Sequence, residues 1–226
     1  MSRILLGVSG GIAAYKACEL TRLLVRAGHE VIPLVTLGAQ RFVTEETFLA
    51  LARRPKNENV YPHLTQADLL VVAPCTANTL AKLAHGIADN VLTEAALAHR
   101  GPILVAPAMN PRMWMNPATR ANVETLRARG VELVGPDEGE MAEGEWGVGR
   151  LAEPVEIAAR IDQLLAPGSF AGRPPRTSIR TSRAPTCSSS RRARRTRSPS
   201  SPTGSPTTCS PKPRLRIADP RSLRPR

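Results

Sequence analysis

Residues 7–12, Gly-Val-Ser-Gly-Gly-Ile, place two glycines and a hydroxyl between an apolar run and a helical pattern. Backbone N–H groups and the dipole at a helix N-terminus favour an anion such as a phosphate. The segment lacks the lysine of a P-loop and does not match GxGxxG, so a nucleoside triphosphate site is disfavoured. Thr36 and Lys16 could add a hydroxyl and a charge, although a solvated helix face explains Lys16 better. A tight turn that binds no ligand explains the two glycines equally well.

Two further segments place polar side chains after an apolar strand pattern. Residues 73–79 read Ala-Pro-Cys-Thr-Ala-Asn-Thr, and their hydroxyl and amide groups could hydrogen-bond the polar edge of a flat heterocycle. Thr76 or Asn78 could also be a helix N-cap, a role that does not exclude a ligand. In residues 106–111, Ala-Pro-Ala-Met-Asn-Pro, two prolines stiffen the chain around Asn110 and present one amide. Asn110 has the strongest purely physical claim to a role in a site.

The elements that must position these residues alternate between strand and helix. Continuously apolar strands are typical of a parallel sheet covered on both faces. The alternation predicts an α/β fold, a doubly wound parallel sheet in a flavodoxin/Rossmann-like three-layer sandwich. Ligands of such sheets bind beyond the carboxyl ends of the strands, where the three polar segments lie. Strands are predicted at 3–8, 31–36, 69–73, 103–106 and 131–134, helices at 12–27, 44–53, 78–84, 91–98, 117–129 and 155–165, and a glycine-rich loop at 135–150.

Four segments of the chain, taken in order, carry a resemblance to a known family. They are residues 7–16 (Gly-Val-Ser-Gly-Gly-Ile-Ala-Ala-Tyr-Lys), 73–79, 84–90 (Ala-His-Gly-Ile-Ala-Asp-Asn) and 106–110. Together they closely resemble the homo-oligomeric flavin-containing cysteine decarboxylases, in particular their coenzyme A branch. The resemblance covers residues 1 to 165. It implies a cytoplasmic homo-oligomer, a trimer or a ring of trimers, that holds FMN at subunit contacts and acts on a small-molecule cysteinyl substrate.

The resemblance also implies a role for individual residues. It places the FMN phosphate against Ser9, Gly10, Gly11, Ile12 and Thr36, and the flavin against Thr76, Ala77, Asn78, Thr79 and Ala106. It implies substrate contacts from Met109, Asn110, Ala142 and Gly144, with Asn110 binding the cysteine carboxylate. His63, Asn110 and Glu143 occupy the positions that correspond to its catalytic residues.

The implied reaction is FMN-dependent decarboxylation of 4′-phosphopantothenoylcysteine to 4′-phosphopantetheine. A carboxylate on a saturated carbon has no electron sink, and oxidation of the thiol-bearing carbon to a thioaldehyde creates one. Loss of CO2 then leaves an enethiol, which hydride from the reduced flavin and a proton from a lid residue convert to the saturated thiol. The redox step belongs to the cofactor, and the protein contributes orientation, a base and charge placement.

Two of the catalytic positions depart from the family pattern. His63 precedes the Ala67-Asp68-Leu69 strand entry as the family's base does, but the spacing is three residues shorter. Because three residues are about 4.5 Å of helix, we expect His63 to face the site from a displaced position; a surface loop histidine is the alternative. Glu143 stands where the coenzyme A branch has a lid cysteine, and it could donate a proton only if burial raised its pKa. We therefore expect decarboxylation to survive better than the final reduction.

Two other functions remain open at this point. An oxidative peptide-cysteine decarboxylase needs no lid cysteine and fits Glu143, although the first 50 residues and the 106–110 segment match the coenzyme A branch more closely. A non-catalytic FMN-binding regulatory protein is compatible with the displaced His63. Yellow colour with FMN separates all three from a nucleic-acid binder, and CO2 release separates the enzymes from the regulatory protein.

The net charge is distributed unevenly along the chain. The 226 residues carry a formal net charge of +12, yet residues 1–165 hold 16 Lys and Arg against 18 Asp and Glu, whereas 166–226 hold 15 against one. The second part also holds 11 of the 21 prolines, and no aromatic residue follows Phe170. Such a composition cannot bury enough apolar surface to fold. We therefore expect a flavoprotein domain at 1–165 and a disordered basic tail at 166–226, and no nucleic-acid partner.

Two interpretations of the tail are open. It could be an arginine-rich arm that binds RNA or acidic surfaces. We favour the other, out-of-frame translation that begins where the synthetase domain of the bifunctional family members would start. The synthetase activity is expected to be absent under either interpretation.

The composition disfavours several other classes. No apolar run reaches the roughly 18 residues of a membrane span, and no signal-peptide pattern follows Met1. The four cysteines form no CxxC pair and the four histidines are scattered, so neither a disulfide framework nor a metal site is expected.

Overall fold

A computed structural model describes residues 1–55, 61–142 and 144–166; Glu143 and the predicted tail from residue 167 onward lie outside them. Within the described ranges the strands are β1 (Arg3–Val8), β2 (Glu30–Val35), β3 (Leu69–Cys75), β4 (Ile103–Pro107), β5 (Glu132–Leu133), β6 (Asp137–Glu140) and β7 (Trp146–Arg150). The helices are α1 (Ala14–Arg26), α2 (Glu45–Leu51), α3 (Tyr61–Gln66), α4 (Ala77–His85), α5 (Val91–Ala98), α6 (Pro111–Met115), α7 (Pro117–Ala128) and α8 (Pro154–Leu165), with a 3-10 turn at Ala39–Arg41.

Strands β1 to β5 form a parallel sheet in the order β2-β1-β3-β4-β5. The register pairs Arg3 with Glu30 at one end of β1 and Val8 with Val35 at the other. This order is that of flavodoxin-like sheets, in which the strand order reverses between β1 and β3. All seven residues of β3 are buried, as a central strand covered on both faces requires. The predicted doubly wound α/β sheet is confirmed.

Helices cover both faces of this sheet and produce three layers. On one face, α1 and α8 pack against Ile4, Leu6 and Val8 of β1. On the other face, α4, α5 and α7 pack with Leu5 and Leu70. Successive β1 side chains therefore enter opposite cores, which is the period of two expected for a strand. None of the helices in the described ranges combines the length and the apolar character that crossing a membrane requires.

The structure differs from the sequence-based prediction in a few places. Residues 135–150, predicted as a loop, contain the antiparallel hairpin β6–β7, which pairs with itself and not with the main sheet. Its polar and glycine-rich composition hides the alternation that marks most strands. Helices α3 and α6 were not predicted because six and five residues are too short to show a helical period. Helix α1 begins at Ala14, two residues later than predicted, after a turn in which the Ala14 N–H donates to the Gly11 carbonyl.

Candidate functional site

The carboxyl ends of β1 and β3 are joined by one buried hydroxyl. Ser9 follows β1 and is 1% exposed, and its Oγ donates to the Pro74 carbonyl oxygen at 2.8 Å. The same Oγ accepts the backbone N–H of Thr76 at 3.0 Å. Ser9 is thus held against the β3–α4 connection, and two of the predicted cofactor-binding segments become neighbours. We call this end of the sheet, with the loops that follow β1 to β4, the carboxyl edge.

The β2 loop joins the same edge through a hydroxyl and a close backbone contact. Thr36 Oγ1 donates to the Val8 carbonyl at 3.1 Å and accepts the Ala39 N–H at 3.3 Å. A Cβ added to Gly10 would lie 2.7 Å from the carbonyl carbon of Gly38, so only glycine fits this approach. The three loops therefore form one cradle of small residues, and they bring Ser9, Gly10, Gly11, Thr36 and Thr76 together, with Ile12 next along the chain.

The turn between β1 and α1 supplies backbone donors to this cradle. Its N-cap residue, Ala13, provides no side-chain cap. In the part of the chain that the structure describes, the N–H groups of Gly10, Gly11 and Ile12 donate to no other protein group. The first N–H groups of α1 itself, those of Ala14, Tyr15 and Lys16, donate to the carbonyls of that turn. Free backbone N–H groups just before a helix N-terminus favour an anion. The geometry is therefore suited to a phosphate.

Lys16 does not contribute its charge to the cradle. Its Nζ donates to Glu153 Oε1 at 2.9 Å, and its side chain is only 11% exposed. The hydrogen bond from Lys16 holds the pKa of the Glu153 carboxyl below its usual value, and Arg150 also pairs with this carboxyl. Lys16 therefore ties α1 to the start of α8 and is neither a phosphate ligand here nor a merely solvated side chain.

The β3–α4 connection presents small groups at the same edge. Thr76 is the N-cap of α4, and its Oγ1 accepts the Thr79 N–H at 3.4 Å and donates to Thr79 Oγ1 at 3.2 Å. Thr79 is buried, whereas Asn78 is exposed and Ala77 is half-buried. Burial raises the pKa of the Cys75 thiol far above its usual value, so this cysteine stays protonated and is not a nucleophile.

Asn110 lies where the β4 loop turns into α6, and both ends of its amide are engaged. Its Oδ1 accepts the Arg112 N–H at 2.9 Å and makes Asn110 the N-cap of α6. Its Nδ2 donates to Glu145 Oε2 at 2.6 Å. The Ala108 N–H donates to the Cys75 carbonyl at 2.9 Å, which joins this loop to the end of β3.

The hairpin β6–β7 is bound to this loop. The Met109 N–H donates to the Gly149 carbonyl at 2.9 Å, and a Cβ on Gly149 would collide with the Met109 carbonyl oxygen. Met109 is 9% exposed, and Ala106, the predicted flavin contact within β4, is fully buried. In the turn of the hairpin, Ala142 and Gly144 are exposed. The predicted catalytic residue Glu143 lies outside the described residues.

His63 is not brought to the carboxyl edge of its own chain. Its Nε2 lies 3.2 Å from Arg54 Nη2, and Arg54 Nη1 donates to Glu30 Oε1 at 2.6 Å. Glu30 is the first residue of β2, and a hydrogen bond from Arg3 lowers the pKa of its carboxyl. Thr36 follows the other end of that strand, and a six-residue strand is roughly 20 Å long. His63 therefore lies toward the amino edge of the sheet.

Two residues of the site, Gly38 and Glu145, were not among the site residues predicted from the sequence. Gly38 matters because it meets Gly10, which is distant along the chain. Glu145 matters because its carboxylate reaches Asn110, 35 residues earlier. Neither contact follows from a local pattern. The only available hint was the acid-rich stretch around residue 143, which could not indicate a partner.

The Ser9 hydroxyl offers a direct test of the cradle. We expect Ser9→Ala to lower the free energy of unfolding by about 1–3 kcal/mol, because it removes the buried hydrogen bond to the Pro74 carbonyl and leaves the partly buried Thr76 N–H without its acceptor. Thermal and urea unfolding measure this loss. Thr125→Ala is the matched control, since its exposed hydroxyl donates to the Ala121 carbonyl within a helix. Equal losses in the two variants would contradict the structural role of Ser9.

Comparison with known proteins gives both curated relatives and solved structures. The chain is 46% identical over 172 residues to the coenzyme A biosynthesis bifunctional protein CoaBC of Mycobacterium tuberculosis (strain ATCC 25618 / H37Rv), covering 72% of this chain and 41% of the relative. It is 40% identical over 176 residues to CoaBC of Vibrio vulnificus (strain YJ016), covering 73% and 44%. The chain therefore spans less than half the length of these curated relatives.

The solved structures are matched over nearly their whole length. A cysteine-to-serine mutant of PPC decarboxylase complexed with pantothenoylaminoethenethiol is 31% identical, with a TM-score of 0.63 over 72% of this chain and 97% of that chain. The FMN-dependent cysteine decarboxylase SpaF is 32% identical, with a TM-score of 0.62 over 74% and 98%. The Flavoprotein family model matches residues 1–166. Since this match spans most of the chain, including every strand and helix described above, the chain belongs to the Flavoprotein family.

Proposed function

We propose that residues 1–165 form an FMN-dependent decarboxylase that converts 4′-phosphopantothenoylcysteine to 4′-phosphopantetheine in coenzyme A biosynthesis. One observation supports this most directly: at the carboxyl edge, the Asn110 amide donates a hydrogen bond to the Glu145 carboxylate at 2.6 Å. The reaction needs such a donor for the substrate's cysteine carboxylate. The likeness to PPC decarboxylase and to the CoaBC proteins favours this substrate over a peptide substrate.

The cradle fits the cofactor that this reaction requires. The N–H groups of Gly10, Gly11 and Ile12, which have no acceptor within the described ranges, and the Thr36 hydroxyl suit the FMN phosphate. Thr76, Asn78 and Thr79 offer small polar groups for the flavin, and Ala77 offers a small apolar one. Thr76 faces the β1 loop, since a Cβ added to Gly11 would lie 3.6 Å from Thr76 Cγ2. When bound, FMN would supply the oxidation that turns the thiol-bearing carbon into an electron sink for the departing carboxylate.

The roles of the protein groups follow from this arrangement. Asn110 binds and orients the substrate carboxylate beside the cradle, as it binds the Glu145 carboxylate in this structure. Met109, the preceding residue of the same loop, is buried. A fixed carboxylate keeps the bond to be broken in one orientation, which lowers the entropic part of the barrier. The hairpin β6–β7 is bound to this loop through the Met109–Gly149 and Asn110–Glu145 hydrogen bonds. Ala142 and Gly144, in the turn of the hairpin, are the proposed substrate contacts on this side.

His63 is the proposed base, and its position supports a shared site. It lies toward the amino edge of the sheet, so the flavin it serves belongs to a neighbouring copy of the chain. Exposed apolar side chains at the carboxyl edge support such an assembly: Ile12 is 56% exposed, Leu37 is 84% and Phe42 is 48%. Burying them against a second copy removes apolar area from water. We propose a trimer or a ring of trimers with FMN at the subunit contacts.

The product distribution tests the proposed function. The full chain is mixed with FMN and 4′-phosphopantothenoylcysteine, and CO2 and products are followed by mass spectrometry. In air-saturated buffer, where dioxygen reoxidises the reduced flavin left by each turnover, wild type is expected to release CO2 and to accumulate the enethiol, because Glu143 replaces the proton-donating cysteine. Glu143→Cys is expected to increase the fraction of saturated 4′-phosphopantetheine several-fold. A protein that turns yellow with FMN and releases no CO2 would contradict the decarboxylase and leave an FMN-binding protein.

The remaining parts of the proposal concern the chain outside this domain. We propose that residues 1–165 are the flavoprotein domain and that the basic tail at 166–226 adds no synthetase activity. The proposed location is the cytoplasm, where a coenzyme A biosynthesis enzyme meets its substrate. Sequencing the gene around codon 170 tests the out-of-frame interpretation of the tail. A reading frame that shows no shift relative to the genes of the relatives would overturn it.

A further inference from the structure

Three side chains beside the carboxyl edge form a small charged cluster. Asn110 Nδ2 donates to Glu145 Oε2 at 2.6 Å, and Arg112 Nη2 lies 3.4 Å from Glu145 Oε1. One amide and one guanidinium therefore bind the two oxygens of a single carboxylate. Asn110 and Arg112 are also joined directly, since the Arg112 N–H donates to Asn110 Oδ1 at 2.9 Å. The result is a carboxylate-binding pair that already holds a carboxylate.

The carboxylate in this pair belongs to the chain itself, and its ion pair with Arg112 is exposed to water. Glu145 lies two residues before Gly147 in the hairpin, and its side chain is 38% exposed. The Arg112 side chain is 87% exposed, so it can follow a carboxylate that replaces Glu145. Ion pairs this exposed to water contribute little to stability, because solvent screens the charges. An incoming carboxylate can therefore displace Glu145 without unfolding the hairpin.

We propose that Arg112 is a second binding residue for the substrate carboxylate, and that Glu145 is an internal competitor for the same pair. The inference rests on the proposed function, in which Asn110 binds the cysteine carboxylate. A ligand with a terminal carboxylate displaces Glu145 and gains both the amide and the guanidinium. After CO2 is lost the product has no carboxylate, and Glu145 returns to the pair. Glu145 thus favours release of the decarboxylated product.

A pair of ligands that cannot react separates this role from turnover. The probes are 4′-phosphopantothenoylserine, which keeps the carboxylate but has a hydroxyl in place of the thiol, and the ethanolamine amide that lacks the carboxylate. Their binding to the FMN-loaded full chain is measured by isothermal titration calorimetry. We expect Arg112→Gln to weaken binding of the serine compound about fivefold, and Glu145→Gln to tighten it about fivefold. The ethanolamine compound should change less than twofold in both variants.

Matched controls come from an exposed ion pair on α7. Arg127 Nη1 lies 3.0 Å from Glu124 Oε1, and Arg127→Gln and Glu124→Gln remove the same charges away from the site. Both controls should bind the two compounds as wild type does. FMN absorbance and circular dichroism confirm that each variant is folded and loaded.

The outcomes that overturn the inference are distinct from failure of the proposed function. Three results would contradict a shared carboxylate-binding pair. The first is an equal change in affinity for the two compounds, and the second is unchanged affinity in both variants. The third is weaker binding of the serine compound by Glu145→Gln. If wild type binds the serine compound while any of these results is obtained, the inference fails and the proposed function stands. Wild type that binds neither compound contradicts the proposed function and the inference together.

Discussion

Asn110→Asp is expected to bind FMN as wild type does and to lose at least 100-fold in kcat/KM, equivalent to about 2.7 kcal/mol of transition-state stabilisation. The variant replaces the amide donor, which reaches Glu145 Oε2 at 2.6 Å, with a second carboxylate. That carboxylate repels the substrate's own and can no longer donate a hydrogen bond to it. Aspartate remains a good N-cap, so α6 should be preserved. CO2 release at varied substrate concentration measures the loss.

The chain contains a matched control for this substitution. Asn116 is followed by Pro117, as Asn110 is followed by Pro111, and it caps α7 by accepting the Ala118 N–H at 2.9 Å. Asn116→Asp makes the same chemical change at an exposed cap, and its kcat/KM should stay within twofold of wild type. An Asn110→Asp variant that keeps more than a tenth of wild-type kcat/KM would show that Asn110 does not bind the carboxylate.

Gly10→Ala should open the cradle and abolish tight FMN binding. The added Cβ would lie 2.7 Å from the Gly38 carbonyl carbon, closer than real contacts allow, so the loops after β1 and β2 must move apart. Forcing a methyl into packed backbone costs about 1–3 kcal/mol. For a domain of this size that corresponds to a fall in Tm of roughly 2–4 °C per kcal/mol. We expect the FMN dissociation constant to rise at least tenfold, measured by quenching of flavin fluorescence.

Gly38→Ala tests the same contact from its other side. A Cβ on Gly38 would lie 3.4 Å from the Gly10 Cα, an ordinary van der Waals distance, and Gly38 has a helical φ of −65°. This variant should keep the Tm and the FMN affinity close to wild type. If both alanines lower FMN binding equally, the cause is the position of the loop and not the direct contact between Gly10 and Gly38.

The fold was largely predictable because its signals are local. Continuous apolar runs marked β1 to β4, and a glycine or proline lies within about three residues of each strand end, although β3 runs through Pro74 and β4 includes Pro107. Within a parallel sheet these ends must lie on one edge, so the segments at 9–12, 36, 74–79 and 107–110 were expected to meet there. The hairpin β6–β7 was missed because its strands pair only with each other and carry few apolar residues.

The site was predicted less completely, for a physical reason that His63 illustrates. The spacing before Asp68 placed it near the start of β3 but did not say which edge of the sheet it would face. Its hydrogen bond with Arg54, which is bound to Glu30, places it toward the amino edge. Its catalytic role stays a prediction that depends on a second copy of the chain. Lys16 is a second example, because its Nζ donates to Glu153, which lies 137 residues further along the chain.

The sequence by itself determined the alternation of strand and helix, the glycine turn after β1 and the four segments that mark the family, because each depends on residues close together in the chain. The tertiary structure decided which of those residues touch. Three contacts of the site join residues that lie far apart along the chain. They are the hydrogen bonds between Ser9 and Thr76 and between Asn110 and Glu145, and the close approach of Gly10 to Gly38. Such contacts depend on strand order and register, which no local pattern encodes.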